Sequence, residues 1–307
     1  MPESLKHFIK AAFARAIPPR LVRGLLLDPN FFEFWQARGL HALPVHFYKP
    51  VPDTRLLGDD LWTRRSDLVG VDMNEAGQLA FLDRFRTDYQ SEFEQLEPGR
   101  GGAPDWGVLY CMIRHFKPRR VIEVGSGVST TVSAMTLLRN QKETGIEARF
   151  TAIEPYPLPF LTDGMPGLSE LRRSTLQEIP LSEFEALEAN DILFLDSSHV
   201  LKVGSDVQYA FLEILPRLRP GVVVHVHDIF FPYEYPRKLA FEFQSFWNEM
   251  YLLQAFLAFN AAFEVLWSSS YLHHLHPDAL RETFPRYSPA GGTPSSFWMR
   301  RIEAEGR

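Results

Sequence analysis

Two short stretches hold residues whose types and spacing could do chemistry. LDSSH at 195–199 places Asp196 and His199 three residues apart, and HVHD at 225–228 supplies His225, His227 and Asp228. Carboxylates beside imidazoles can take a proton from a hydroxyl or hold a divalent cation. A third constellation lies upstream. VIEVGSGVST at 121–130 is followed by Glu154, at the end of ARFTAIEPYP and 29 residues after Gly125. Glycines let a ligand approach the backbone closely, and a carboxylate offers two acceptor oxygens to two ribose hydroxyls. Together they describe a pocket for a nucleoside cofactor.

Each group needs a strand to place it. VIEV reads as a strand that runs into a Gly-x-Gly turn and opens a helix over 129–140, the first βα unit of a doubly wound sheet. Further strands are expected at 148–154, near LRRST, at 191–196, from 221, at 263–267 and at 296–302. DILFLD is a nearly continuous apolar run, as a strand buried on both faces should be. Helices are expected at 107–116, where Pro118 stops the pattern, over the stripe Val203, Val207, Phe211, Ile214, Leu215 and Leu218, and as one long aromatic helix over about 236–258. In such a sheet, Asp196 and Asp228 stand at the carboxyl ends of neighbouring strands, where ligands bind. His225 and His227 alternate on one face. The bland reading makes His225 a core histidine and places His227 nearer the cleft.

Composition bounds the rest. The chain has 307 residues, 45% of them hydrophobic and 23% charged, which is ordinary for a globular protein. A net charge of −6 argues against nucleic acid as a partner. The single cysteine, Cys111, excludes an intramolecular disulfide and reads as a buried small hydrophobe. No stretch reads as a transmembrane span, so a cytoplasmic protein is the default. Residues 1–104 form an N-terminal helical region and 105–307 the sheet domain, with EPGRGGAPDW at 97–106 as the linker. Leu5, Phe8, Ile9, Ala12, Phe13 and Ile17 share a helical face that docks on the domain or touches a membrane surface. The acceptor site is expected from His46, Phe47, Tyr48 and Lys49 between prolines, and from FFPYEYPR at 230–237.

Glu-Val-Gly-Ser-Gly at 123–127, Glu154, Asp196 and the late strand pair resemble class I S-adenosylmethionine-dependent methyltransferases over roughly residues 105–302. Within them, the EVGSG-x-ST form is similar to bacterial small-molecule and sugar O-methyltransferases of the methyltransferase 24 kind. The resemblance implies a seven-stranded Rossmann-like α/β sheet of order 3-2-1-4-5-7-6 beneath an N-terminal helical cap. It implies that Glu123, Gly125, Ser126, Gly127, Ser129, Glu154, Tyr156 and Asp196 bind S-adenosylmethionine, with Glu123 near the amino group and Tyr156 over the adenine. Catechol O-methyltransferase and its relatives hold Mg²⁺ on a strand-end acid pair and place a basic residue three positions after the first acid. Here that position is His199, which makes it the expected base with Asp196 beside it. Asp196, Asp228 and His227 are the expected ligands of Mg²⁺ or another divalent cation, although Ile229 stands where that family has Asn or Asp. The acceptor would be a sugar or natural-product hydroxyl. Two alternatives stay open. One is an NAD-dependent oxidoreductase, disfavoured by Thr130 at the third fingerprint position. The other is a non-catalytic cofactor-binding domain of the same fold. An iron site of His199, His227 and Asp228 would leave the glycine loop and Glu154 without a purpose.

Overall fold

The computed structural model describes residues 16–95 and 104–303. Most of the amphipathic face that begins at Leu5, and residues 97–103 of the expected linker, lie outside the described residues. Compactness divides the chain between Gly58 and Asp59.

The described part of the first unit is short-ranged structure. A helix spans Pro19–Leu26, with proline at its first position, where no N–H is missed. Trp35 Nε1 donates to the Leu25 carbonyl, and Asp53 caps the turn Thr54–Leu56 through the Arg55 amide. The rings of His46, Phe47 and Tyr48 pack against one another, and Phe47 and Tyr48 are more than four-fifths exposed.

The second unit is built on seven strands: β1 Arg120–Val124, β2 Arg149–Ile153, β3 Glu170–Arg172, β4 Ile192–Leu195, β5 Val223–Val226, β6 Phe263–Ser268 and β7 Phe297–Arg301. Their order is β3-β2-β1-β4-β5-β7-β6, as the family resemblance implies. The first five are parallel, and β7 runs antiparallel to both β5 and β6. All four residues of β4 and of β5 are buried, which is why β4 reads as an unbroken apolar run, while β5 encloses His225 between valines. Cores form on both faces. One gathers Val124, Leu195, Val226, Phe211 and Leu253, the other Phe150, Phe194, Met112, Trp267 and Trp298. The helix Glu75–Phe93, grouped by sequence with the N-terminal region, packs against Asp105–Phe116 and β6. Its buried Gln78 bridges the Met73 carbonyl and the Ser268 amide.

Two expectations need correction. The helix after β4 is not uniform: it starts at Asp206 under a Ser205 cap and passes through a π turn over Ala210–Ile214 before Pro216 ends it in a 3₁₀ turn. Val203 falls before it and is fully exposed. The long aromatic helix is two helices, Arg237–Phe241 and Glu249–Leu257. The break contains Gln244 in the left-handed region and turns Trp247, Asn248 and Glu249 toward the loop after β4. Helices Ser269–Leu275 and Pro277–Thr283, which sequence patterning did not single out, fill the span between β6 and β7.

Candidate active site

The glycine turn is held by the strands around it. Gly125 has φ +79°, and its N–H donates to the Ile153 carbonyl on β2. A Cβ placed there would lie 1.8 Å from the Asp196 carbonyl oxygen, so only glycine lets the ends of β1 and β4 approach this closely. Gly127 has extended backbone with nothing within 4 Å of its Cβ position, leaving open space above the turn. Its N–H is taken by Thr130 Oγ1, so Thr130 closes the first turn of the helix Val128–Thr144. The threonine that breaks the dinucleotide fingerprint thus has a structural task.

Beneath the turn, Glu123 is fully buried. Ser129 Oγ donates to its Oε1 at 2.5 Å, while Oε2 has no partner among the described residues. Burial pushes the Glu123 carboxyl up to about 8, against the opposing effect of the Ser129 and Thr130 hydroxyls. Glu154 follows β2. Its Oε2 accepts from the Ser126 amide at 3.2 Å and its Oε1 from the Tyr156 amide at 2.8 Å. Each oxygen keeps acceptor capacity, since a carboxylate has about four lone-pair sites. Tyr156 is largely exposed beside it.

The second group assembles after β4 and β5. His199 has φ +58° and is 6% exposed, and its ring lies 4.4 Å from that of Trp247. Its carbonyl accepts from the amides of Asn248 and Glu249, while its Nδ1 bonds Glu249 Oε2 at 2.9 Å. The start of the helix Glu249–Leu257 therefore clamps both the backbone and the ring of His199. On the other side, Nε2 lies 3.3 Å from Asp196 Oδ1 and 3.6 Å from Asp228 Oδ2. Burial alone would depress the imidazole, but its bonds to Asp196 and Glu249 outweigh it and raise the pKa to about 10. Burial would raise Asp196, yet the bond from His199 and the charge of His227 hold it below its ordinary value. Asp228, with φ +57°, is fixed through Oδ1 by the Ser295 hydroxyl at 2.9 Å. Ser295 and Ser296 are fixed in turn by their amides on the buried Asp105.

Potential donor atoms of Asp196, His199 and Asp228 all lie within 4.8 Å of one another. One nitrogen and two carboxylate oxygens suit a divalent cation and leave room for further ligands. His227 stands at the edge of this group, its Nε2 3.9 Å from Asp228 Oδ1. Of the residues singled out in the sequence, Glu123, Gly125, Ser126, Gly127, Ser129 and Glu154 lie at the glycine turn. Asp196, His199, His227 and Asp228 lie at the ends of β4 and β5. Patterning missed Glu249, Trp247 and Ser295. The only trace of Glu249 is a lone acid inside the aromatic run FWNEMYLLQAF.

The profile of a methyltransferase domain family matches residues 122–229, the span from β1 to the residue after Asp228. An uncharacterised protein of Archaeoglobus fulgidus is 30% identical over 169 residues, which is 48% of this chain and 75% of that protein. More distant are an apo structure of CmcI (16% identity, 66% of this chain and 72% of that one, TM-score 0.37) and a SAM-dependent methyltransferase from Anabaena variabilis (12%, 78% and 100%, TM-score 0.34). With its strand order, glycine turn and strand-end acids, the chain belongs to the class I S-adenosylmethionine-dependent methyltransferase family.

Proposed function

We propose that this enzyme methylates a hydroxyl oxygen of a small molecule, a sugar or natural-product alcohol, with His199 as the base and Asp196 and Asp228 holding a divalent cation. The observation that carries the reading is the meeting of Asp196, His199 and Asp228 beside the glycine turn, with the far side of the His199 ring locked by Glu249.

The cofactor fits the residues present. The unpartnered Oε2 of Glu123 suits the cationic amino group of a methionine tail, the open face of Gly127 suits close approach, and Glu154 retains acceptor sites for a ribose. S-adenosylmethionine, when bound, supplies an electrophilic methyl group on a sulfonium. The chain's task is orientation and proton removal. His199 Nδ1 is committed to Glu249, so Nε2 is the nitrogen available for a hydroxyl proton. In the ligand-free chain, Asp196 and Glu249 hold a proton on that ring. A cation shared by Asp196 and Asp228 would offset their charge, freeing Nε2 and acidifying a nearby hydroxyl.

Calorimetric titration with S-adenosylhomocysteine, with NAD⁺ as comparator, tests the cofactor reading. We expect micromolar binding of the former and none of the latter. Binding of NAD⁺ alone would overturn the reading. An acceptor panel of sugars and phenols, run with and without Mg²⁺ or Mn²⁺, tests the oxygen assignment. Tight cofactor binding with no transfer to any acceptor would favour a cofactor-binding domain without catalysis.

Two further outcomes are expected. Glu123 must be ionised to face an ammonium, and burial raises it to about 8, so below that pH the proton must leave before binding. Affinity for S-adenosylhomocysteine should therefore rise from pH 6 to about 8 and level off above it. In Glu123→Gln the rise should vanish, and a pH-independent wild type would refute the assignment. Glu249→Gln, which keeps the contact but removes the charge behind His199, should lower kcat by about 10-fold to 100-fold. Cofactor affinity measured on the same samples should not change.

A further inference from the structure

Outside the glycine turn and the strand-end acids, one cavity combines charge with unused hydrogen-bonding groups. It encloses about 180 Å³, room for about six water molecules or one small ring, and is too small for a drug-sized ligand. Three segments wall it: the turn at Arg64 and Ser66, the loop after β5 at Tyr233 and Glu234, and the helix Glu249–Leu257 at Tyr251 and Gln254. These walls are tied to their surroundings by the protein itself. The Ser66 amide donates to the Pro232 carbonyl at 2.8 Å, and the Tyr251 hydroxyl donates to Glu234 Oε1 at 2.5 Å. The Tyr233 ring packs on that of His274 at 4.3 Å. A concavity formed in advance loses little freedom on binding.

The groups left unused define what the cavity can hold. Arg64 is exposed, and its guanidinium has no partner among the described residues, Glu234 included. Glu234 directs Oε1 to Tyr251 and the Tyr235 amide and keeps Oε2 free. The Gln254 amide and the Tyr233 hydroxyl make no hydrogen bond among the described residues. Ser66 Oγ accepts from the Leu68 amide at 3.2 Å and retains its own proton to donate. The set is one donor-only group, one acceptor-only group and three that do both. An anion would meet Glu234, a cation would meet Arg64, and an apolar ligand would strand all five. A zwitterion would use the two charges and leave the three neutral groups unpaired. Each hydroxyl of a polyol donates once and accepts twice, so neighbouring hydroxyls on a ring answer the whole set. The exposed Tyr251 ring adds an apolar face.

We propose that this cavity binds a neutral sugar ring. None of its lining residues belongs to the glycine turn or to the group Asp196, His199 and Asp228, yet two of its walls continue from that group. Glu249, on the His199 ring, begins the helix that carries Gln254 about 7.5 Å further along its axis. Tyr233 follows Asp228 by five residues. The ring is either a second ring of the methyl acceptor or a separate saccharide, and kinetics tell the two apart. The first identity rests on the acceptor reading of the proposed function, whereas the binding itself does not.

Saturation-transfer NMR with titration, on the full-length protein, uses glucose, galactose, mannose, rhamnose and their methyl glycosides as probes, with glycine and sodium phosphate as comparators. We expect at least one sugar to bind and both comparators to stay silent. Arg64→Met should weaken that sugar about 10-fold to 100-fold, and Gln254→Leu about 3-fold to 10-fold. The Arg64 guanidinium has no partner among the described residues, so the Tm of Arg64→Met should match that of the wild type. Silence from every sugar, tighter binding of glycine or phosphate, or a sugar affinity that either variant leaves unchanged overturns the proposal. For a sugar that accepts a methyl group, a raised KM in Arg64→Met identifies the ring as part of the acceptor, and an unchanged KM identifies a separate ligand. If no sugar is methylated, the sugar-acceptor reading falls while the binding results still decide the cavity.

Discussion

His199→Ala should lower methyl transfer by about 10²-fold to 10⁴-fold, the usual contribution of a placed proton acceptor, while S-adenosylhomocysteine affinity stays within about twofold. The split follows from position. His199 touches Asp196, Asp228, Glu249 and Trp247, while Glu123 and Glu154 have their own partners at the glycine turn. Truncation also leaves the buried Glu249 carboxylate without its partner, a loss of about 1–3 kcal/mol that appears as a lower Tm. Rates are therefore to be compared below the variant's transition, with His199→Asn as a second variant that retains a polar group. Full turnover in a folded His199→Ala that binds cofactor normally would remove the base assignment.

The second large effect is structural in origin. Gly125→Ala should cost about 3–5 kcal/mol and abolish measurable cofactor binding, because two penalties coincide. A φ of +79° is strained for any residue with a Cβ, and the new methyl would sit 1.8 Å from the backbone carbonyl of Asp196, which no rotamer change can relieve. Relief requires the ends of β1 and β4 to separate, and those ends are tied by the Asp196 amide on the Val124 carbonyl. Gly127→Ala is the matched control. Its backbone is extended and its Cβ position is open, so stability should stay within about 0.5 kcal/mol while cofactor affinity falls. Equal Tm values for the wild type and Gly125→Ala would show that the strands can part at little cost.

Much of the sheet was legible because its signals are local. β4 is buried on both faces and reads as an apolar run, and the glycine turn and Glu154 follow their strands at short, fixed distances. The break between Arg237–Phe241 and Glu249–Leu257 was not legible, since aromatic residues there satisfy either a helix or a docked turn. What decides between them is Trp247 on the ring of His199 and Asn248 on the Leu201 backbone, contacts across almost fifty residues. The acids and histidines of the candidate site could be named from their strands. Their supports could not, because Glu249, Ser295 and Asp105 come from three separate regions of chain and bear no mark of the task in their neighbours.

Asp105 bears on what counts as the smallest working piece of this chain. Its carboxylate holds the amides of Ser295 and Ser296, and Ser295 holds Asp228, so a residue at the entrance of the last helix before the sheet steadies a site carboxylate through the segment just before the last strand. The span that matches the methyltransferase domain profile, 122–229, contains Asp196, His199 and Asp228 but none of the three residues that hold them. A truncated version limited to that span would carry the reactive groups on unsupported ends. Grafting this chemistry onto another scaffold would require carrying over both flanking regions, so that heredity of the site is a property of the closed chain rather than of its signature motif.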